Sequence, residues 1–344
     1  MPRYNIPLRQ LGRNGATVPQ LGFGTMGLTH DAYGSLPDDE ERFAILDRAY
    51  EIGARFWDTS DLYGDGEQLI GRWFKRTGKR DDIFLATKFG YVKGGPLHTI
   101  NSTGTYCKKA CAESLKELGI DSIDLYYLHQ ADPDTPIEDT MRALAELQTE
   151  GKIKHIGLSN VSSATVFRAV KIAPIVAVQV DYSPFVLDIE GPLGTDLLAT
   201  CRSLGIAIVA AVPLGRGLLT NTFASGASVG DSKDKRPLVM PRFAEENRTQ
   251  NVAAVGQFKA LADKRGCTPA QLALAWLMKQ GHDIFPIPGT KRMKYLEENC
   301  DSVDVHLSDA DEAEIRGFLE NVEIAGDKLP EVFASWYFVT TREE

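Results

Sequence analysis

Eight short apolar runs, each followed by a longer segment of helical spacing, constrain this chain more than any other feature. The runs are LGFGT, RFWD, IFLATK, IDLYYLH, IKHIGLS, VAVQV, IAIVAAV and IFPIPG. Eight strands interleaved with helices is the count of a closed α/β TIM barrel, (β/α)8. An open doubly wound sheet shows the same alternation. The count of eight and the polar residues recurring at the strand C-termini favour the barrel. The intervening helices carry matching signals: residues 39–52 place Phe43, Leu46 and Tyr50 on one face, and residues 137–149 do so with Ile137, Met141, Leu144 and Leu147. Each would coat the barrel's exterior.

A chain of 344 residues fits one such barrel, since these domains routinely exceed ~250 residues, and we read 1–344 as one domain. Residues 6–19 read as an N-terminal hairpin turning at Arg13-Asn14-Gly15. After the eighth strand come a helix through Lys294–Cys300, another starting at a Ser308 cap, and an aromatic tail (319–344) holding Trp336, Tyr337 and Phe338. The tail is too apolar to hang free; it serves either as a packing patch or as a substrate-pocket wall. The long connection 218–246 is glycine-rich and charged, either a lid or a solvated insertion.

The formal charge of −9 disfavours nucleic acid and anionic lipid as partners, so an anionic ligand would need a local basic pocket. No run approaches the ~18 apolar residues of a membrane span, and no targeting signal is legible, which points to the cytoplasm. Oligomeric state is not legible. The five cysteines, among them Cys107 and Cys111 on one helix face, lack CxxC or metal-ligand spacing and read as free thiols. Gly22–Gly27 matches GxGxxG, but no amphipathic helix follows to hold a pyrophosphate. Gly226–Gly230 matches a serine-hydrolase elbow without the required strand and helix.

Chemistry concentrates at the strand ends. Asp58, Lys88 and His129 each close one of three successive strands, and Tyr63 follows the first, so all four should share the C-terminal mouth. On IFLATK, Phe84, Ala86 and Lys88 project to one side, which for a barrel strand can be the interior. A lysine there needs Asp58 as its counter-charge. Taken singly, Asp58–Lys88 reads equally as a buried ion pair and His129 as a core histidine. Together they suggest that Lys88 lowers the pKa of the Tyr63 phenol, making it a general acid toward a carbonyl oxygen that His129 also contacts.

WDTSDLYGDGEQLIG, IFLATKFG, IDLYYLHQADP, IKHIGLSN, VQVDYSP, VPLGRGLL and PIPGTKRMKYLEEN resemble, in order, the signatures of the aldo-keto reductase superfamily. The likeness is strongest to the microbial and plant branch that also holds the potassium-channel β subunits. It implies a TIM barrel with NADPH across its mouth and a small-molecule carbonyl as substrate. The family's catalytic Asp, Tyr, Lys and His fall on Asp58, Tyr63, Lys88 and His129. Its cofactor contacts fall on Gly24, Thr25, Asp58, Ser159, Asn160, Gln179, Leu214, Gly215, Gly217, Gly289, Thr290, Lys291, Arg292, Glu298 and Asn299. Lys291 and Arg292 also read physically as a basic pocket for a 2′-phosphate. Met26, Tyr63, Phe89 and His129 are the expected substrate contacts. Where relatives carry a nicotinamide-stacking aromatic, this chain has Ala211; either Tyr182 or Phe185 takes that place, or the ring is held loosely. Resemblance to channel β subunits leaves a second reading, a cofactor-binding redox sensor with little turnover.

Overall fold

The computed structural model describes residues 6–96 and 99–344. Eight parallel strands run in sequence order: β3 (Phe23–Gly24), β4 (Phe56–Asp58), β5 (Phe84–Phe89), β6 (Ile123–Leu128), β7 (Ile153–Ser159), β8 (Ala177–Asp181), β9 (Ala207–Ala211) and β10 (Ile284–Pro286). They follow the short hairpin strands β1 (Leu8–Gln10) and β2 (Thr17–Pro19). The cylinder closes between first and last barrel strands: Gly22 N–H donates to the Pro286 carbonyl at 2.9 Å, and Gly24 bridges Gly289. A Cβ on Gly24 would stand 2.9 Å from the Ile287 carbonyl oxygen, and one on Gly289 would stand 2.8 Å from that of Gly24. The glycines that imitate a dinucleotide fingerprint therefore include one that lets the seam close. Only one helical turn, Met26–Thr29, follows them.

Alternation along the strands divides two cores. Phe56, Ala86, Leu125, Tyr127, Val209 and Phe285 fill the cylinder and meet Leu11 and Val18 of the hairpin, which plugs its base. Residues of opposite parity, including Trp57, Leu85 and Tyr126, pack outward against helices. Helix Gly66–Thr77 contributes Leu69, Ile70, Trp73 and Phe74 to that layer, all buried, and Trp57 meets Trp73 edge-on at 4.7 Å. The expected helices span Asp39–Glu51, capped by the Asp38 carboxylate, and Ile137–Thr149. Helices Met293–Cys300 and Asp309–Leu319 follow the barrel, the second opened by a Ser308 capping box.

All five cysteines are free thiols, with Cys107 and Cys111 fully buried. Among the described residues no helix is long and apolar enough to cross a membrane, and no His, Cys, Asp and Glu cluster could hold a metal.

Segment 218–246 is not a detached insertion. It carries the short helices Asn221–Ala224 and Arg236–Val239 and crosses to the loop after β3, where Asp234 bridges Tyr33. The tail docks as well: Val339 bridges Val161 just beyond β7, and its amide donates to the Asn160 carbonyl at 2.8 Å.

Candidate active site

Parallel register brings the strand ends to one level: Gly24 lies opposite Asp58, and Ser159 opposite Gln179. Lys88, wholly without solvent exposure, directs its ammonium at Asp58 Oδ1 (2.5 Å), the Thr59 carbonyl (2.7 Å) and Tyr63 Oη (3.4 Å). Gln179 Nε2 donates to the other Asp58 oxygen at 2.8 Å. Both charges are thus taken out of water and fully engaged, as a buried pair requires. Tyr63 is turned inward by the backbone after it. Gly64 sits at φ +58°, and a Cβ there would stand 2.1 Å from the Thr29 carbonyl oxygen.

The four expected groups do lie together, but the direction of the tuning is reversed. Burial, then the Asp58 charge, push the Tyr63 phenol well above its ordinary value. The ammonium expected to draw it down is already neutralised by Asp58 at 2.5 Å, so what the phenol feels is an ion pair in a low-dielectric wall. Burial also lowers Lys88. His129 is pushed well below the usual imidazole range by burial, then by Lys88, and is neutral. Its Nδ1 meets Ser60 Oγ at 3.1 Å. Its ring lies edge-on between Tyr63 (5.7 Å) and Tyr91 (5.1 Å).

A cleft of about 320 Å³ runs from Asp58 and Tyr63 across the mouth to Glu298 and Asn299. Gly24, Met26, Gln179, Leu214, Gly217, Gly289, Thr290, Lys291 and Arg292 border it, as expected residues of the cofactor or substrate set. Sequence reasoning passed over Tyr33, Arg216 and Arg236, which also border it. Arg216 was visible inside PLGRGLL; Tyr33 had no signal. A second hollow of about 520 Å³, lined by Glu51, Asp81 and Asp82, lies under the hairpin at the opposite end and holds none of the four groups.

Several expected contacts are corrected. Phe89 has no exposure and stacks on Tyr126 at 5.1 Å, in the layer between sheet and helices, so it forms no pocket wall. Strand parity explains this, since Phe89 follows inward-facing Lys88. Thr25 is buried, with its hydroxyl on the Asp58 carbonyl at 3.0 Å. The Lys291 ammonium is committed to the carbonyls of Tyr33 (2.8 Å) and Ser35 (2.6 Å), leaving Arg292 as the exposed member of that pair. Neither Tyr182 nor Phe185 replaces the missing aromatic beside Ala211. Tyr182 donates to Glu190 and packs on Trp276, and Phe185 packs on Phe258. Gly215 and Asn160 both take positive φ. Asn160 lies with Ser159 beside Gln179, whose carbonyl accepts from its amide at 3.1 Å.

The tail packs onto the barrel mouth. Trp336 meets Tyr91 at 5.7 Å, and its carbonyl accepts from Gln130 Nε2 at 2.9 Å. Tyr337 Oη donates to Asp181 at 2.6 Å.

A closed parallel barrel with an acid, an ammonium, a phenol and an imidazole beside a long cleft at its carboxyl end is the architecture of a barrel enzyme. The profile of the Aldo/keto reductase family matches residues 20–320, and the chain belongs to that family. It is 47% identical over 343 residues to "Aldo-keto reductase yakc [NADP(+)]" of Schizosaccharomyces pombe, covering 98% of both chains. It is 45% identical over 327 residues to "Aldo-keto reductase str7" of Strobilurus tenacellus, covering 94% of this chain and 95% of the relative. Among solved structures, the glycerol dehydrogenase AKR11B4 from Gluconobacter oxydans superposes with a TM-score of 0.78 at 25% identity, covering 94% of this chain and 97% of that one.

Proposed function

We propose that this protein reduces an aldehyde or ketone to an alcohol with NADPH, with Tyr63 as the proton donor. The observation that carries the reading is the Tyr63 hydroxyl at 3.4 Å from the Lys88 ammonium, on the border of the long cleft. A phenol pushed upward by burial keeps its proton at neutral pH, so it stands ready to donate as negative charge grows on a carbonyl oxygen. The phenolate left behind gains the nearby ammonium, while Asp58 holds that ammonium in place. His129, neutral, fixes the carbonyl from the other side.

The cleft's chemistry suits a long polyphosphate ligand. In a chain of net charge −9, its border carries Arg216, Arg292 and Lys294, beside Lys291, which is held by backbone carbonyls, and Arg236, which is paired with Asp234. Bound there, a reduced nicotinamide supplies the hydride. Ser159 and Asn160, with Gln179 beside them, would hold its carboxamide end. Arg292 would hold a 2′-phosphate, with Lys291 tying down the loop after β3. The relative named for NADP(+) supports that choice of cofactor. Tyr91 stands edge-on to His129 and Trp336 packs on Tyr91, so a flat, aromatic carbonyl compound held at His129 would have rings to pack against. The test mixes purified protein, NADPH and a panel of aryl and alkyl aldehydes and follows the absorbance of the reduced nicotinamide. Sustained turnover supports the reading; a single stoichiometric oxidation, with none beyond it, defeats it and favours a redox sensor.

A further inference from the structure

Ser60 and Asp61 stand between the acid and the phenol in sequence, and the steps above use neither. Ser60 Oγ lies 3.1 Å from His129 Nδ1 and 3.2 Å from Asp61 Oδ1, and it accepts the Leu62 amide at 3.1 Å. Ser60 is 1% and Asp61 5% exposed. One hydroxyl hydrogen therefore faces two acceptors. An ionised Asp61 claims it; Ser60 Oγ then accepts from His129, Nδ1 carries the ring hydrogen, and Nε2 presents only a lone pair. A protonated Asp61 instead donates to Ser60 Oγ, which turns its own hydrogen to Nδ1, and the ring hydrogen sits on Nε2. The two states differ by one proton. Leaving the second state, Asp61 passes its hydrogen to Ser60, Ser60 passes its own to Nδ1, and Nε2 of the partly exposed ring releases one to water.

We infer that Asp61, acting through Ser60, is a positioning residue that decides which nitrogen of His129 carries the hydrogen, so that His129 donates to a carbonyl oxygen only while Asp61 is protonated. Asp61 is held where this exchange falls near neutral pH. Burial, then the Glu67 carboxylate, push it up to about 7, against the opposing pull of Lys93, Ser60 and Lys88. Glu67 is itself engaged by Thr87 Oγ1 at 2.8 Å and by Lys93 at 3.5 Å. Tyr63, Tyr106 and Tyr126 feel the Asp61 charge from neighbouring elements. The groups facing His129 are Lys88, Tyr63 and Tyr91. Its neutrality means that a single ring hydrogen is shared between two nitrogens.

The functional consequence rests on the carbonyl-reductase reading; the tautomer exchange does not. The test is therefore NMR of the histidine ring nitrogens in isotope-labelled full-length protein between about pH 5 and 9. The His129→Gln spectrum identifies the relevant signals among the six histidines. In wild type, the ring hydrogen should move from Nε2 to Nδ1 as pH rises. In Asp61→Asn, whose amide donates to Ser60 as the protonated acid does, it should stay on Nε2 throughout. Ser60→Ala, which cuts the link, should abolish the movement. In parallel, reductive kcat on nitrobenzaldehyde should fall about tenfold per pH unit above the exchange in wild type, and vary by less than about twofold in Asp61→Asn. A ring hydrogen that never moves in wild type, or that still moves in Asp61→Asn, overturns the inference. Movement in a protein that turns over no carbonyl upholds it and removes the reductase reading instead.

Discussion

Replacing Lys88 with methionine tests the centre of the site through stability as well as activity. The methionine fills the stem's volume but leaves the Asp58 carboxylate, 2% exposed, with Gln179 as its remaining side-chain donor. Breaking a buried pair from one side costs about 3–5 kcal/mol. An escape caps that cost. The orphaned acid can take up a proton, which for a carboxyl of ordinary acidity costs about 4 kcal/mol at pH 7 and about 1.4 kcal/mol less for each unit the pH falls. The deficit against wild type should therefore be about 3–4 kcal/mol at pH 7 and shrink by about 2–3 kcal/mol at pH 5. Urea unfolding of both proteins at the two pH values, followed by circular dichroism, measures it. A deficit below about 1 kcal/mol at pH 7, or one unchanged at pH 5, would refute the view that the ammonium is what keeps Asp58 ionised.

Tyr63→Phe should retain NADPH binding while kcat falls by about a thousandfold or more, since only the proton donor is lost; single-turnover absorbance and cofactor fluorescence separate the two effects. Arg292→Ala should raise the NADPH dissociation constant by about tenfold or more and leave that for NADH nearly unchanged, because the lost contact is to the 2′-phosphate; titration calorimetry with both nucleotides reports it. Asp61 should limit stability at higher pH. Its folded value, about 7, lies above the ordinary carboxyl value of 3.8, so the native state holds the proton more tightly and stability declines as pH rises from about 4 to 7. Asp61→Asn should flatten that decline and be the more stable protein at pH 8, by at most about 4 kcal/mol; thermal unfolding across pH checks the sign.

Periodicity made the barrel legible, because strands buried on both faces leave short apolar runs that turn signals separate cleanly. The same feature placed Asp58, Lys88 and His129 at one rim. Phe89 misled for a local reason: its neighbour Lys88 faces the cylinder, so the pleat turns Phe89 to the helices, and a list of residues near the mouth cannot show which way each points. Lys291 misled differently. Two adjacent cations in PGTKR read as one pocket, yet the chain spends one of them on backbone carbonyls of Tyr33 and Ser35 more than 250 positions away.

What this sequence determined alone was the eight-strand count, the Ser308 helix cap and the identity of four polar groups at or just beyond the strand ends, because each is a matter of local spacing and backbone preference. Tertiary structure alone decided how those groups behave. The upward push on Tyr63, the neutrality of His129, the Ser60–His129 link and the packing of Trp336 on Tyr91 arise from burial and from contacts between distant segments. Desolvation and proximity have no expression in a one-dimensional string until the chain has closed around them.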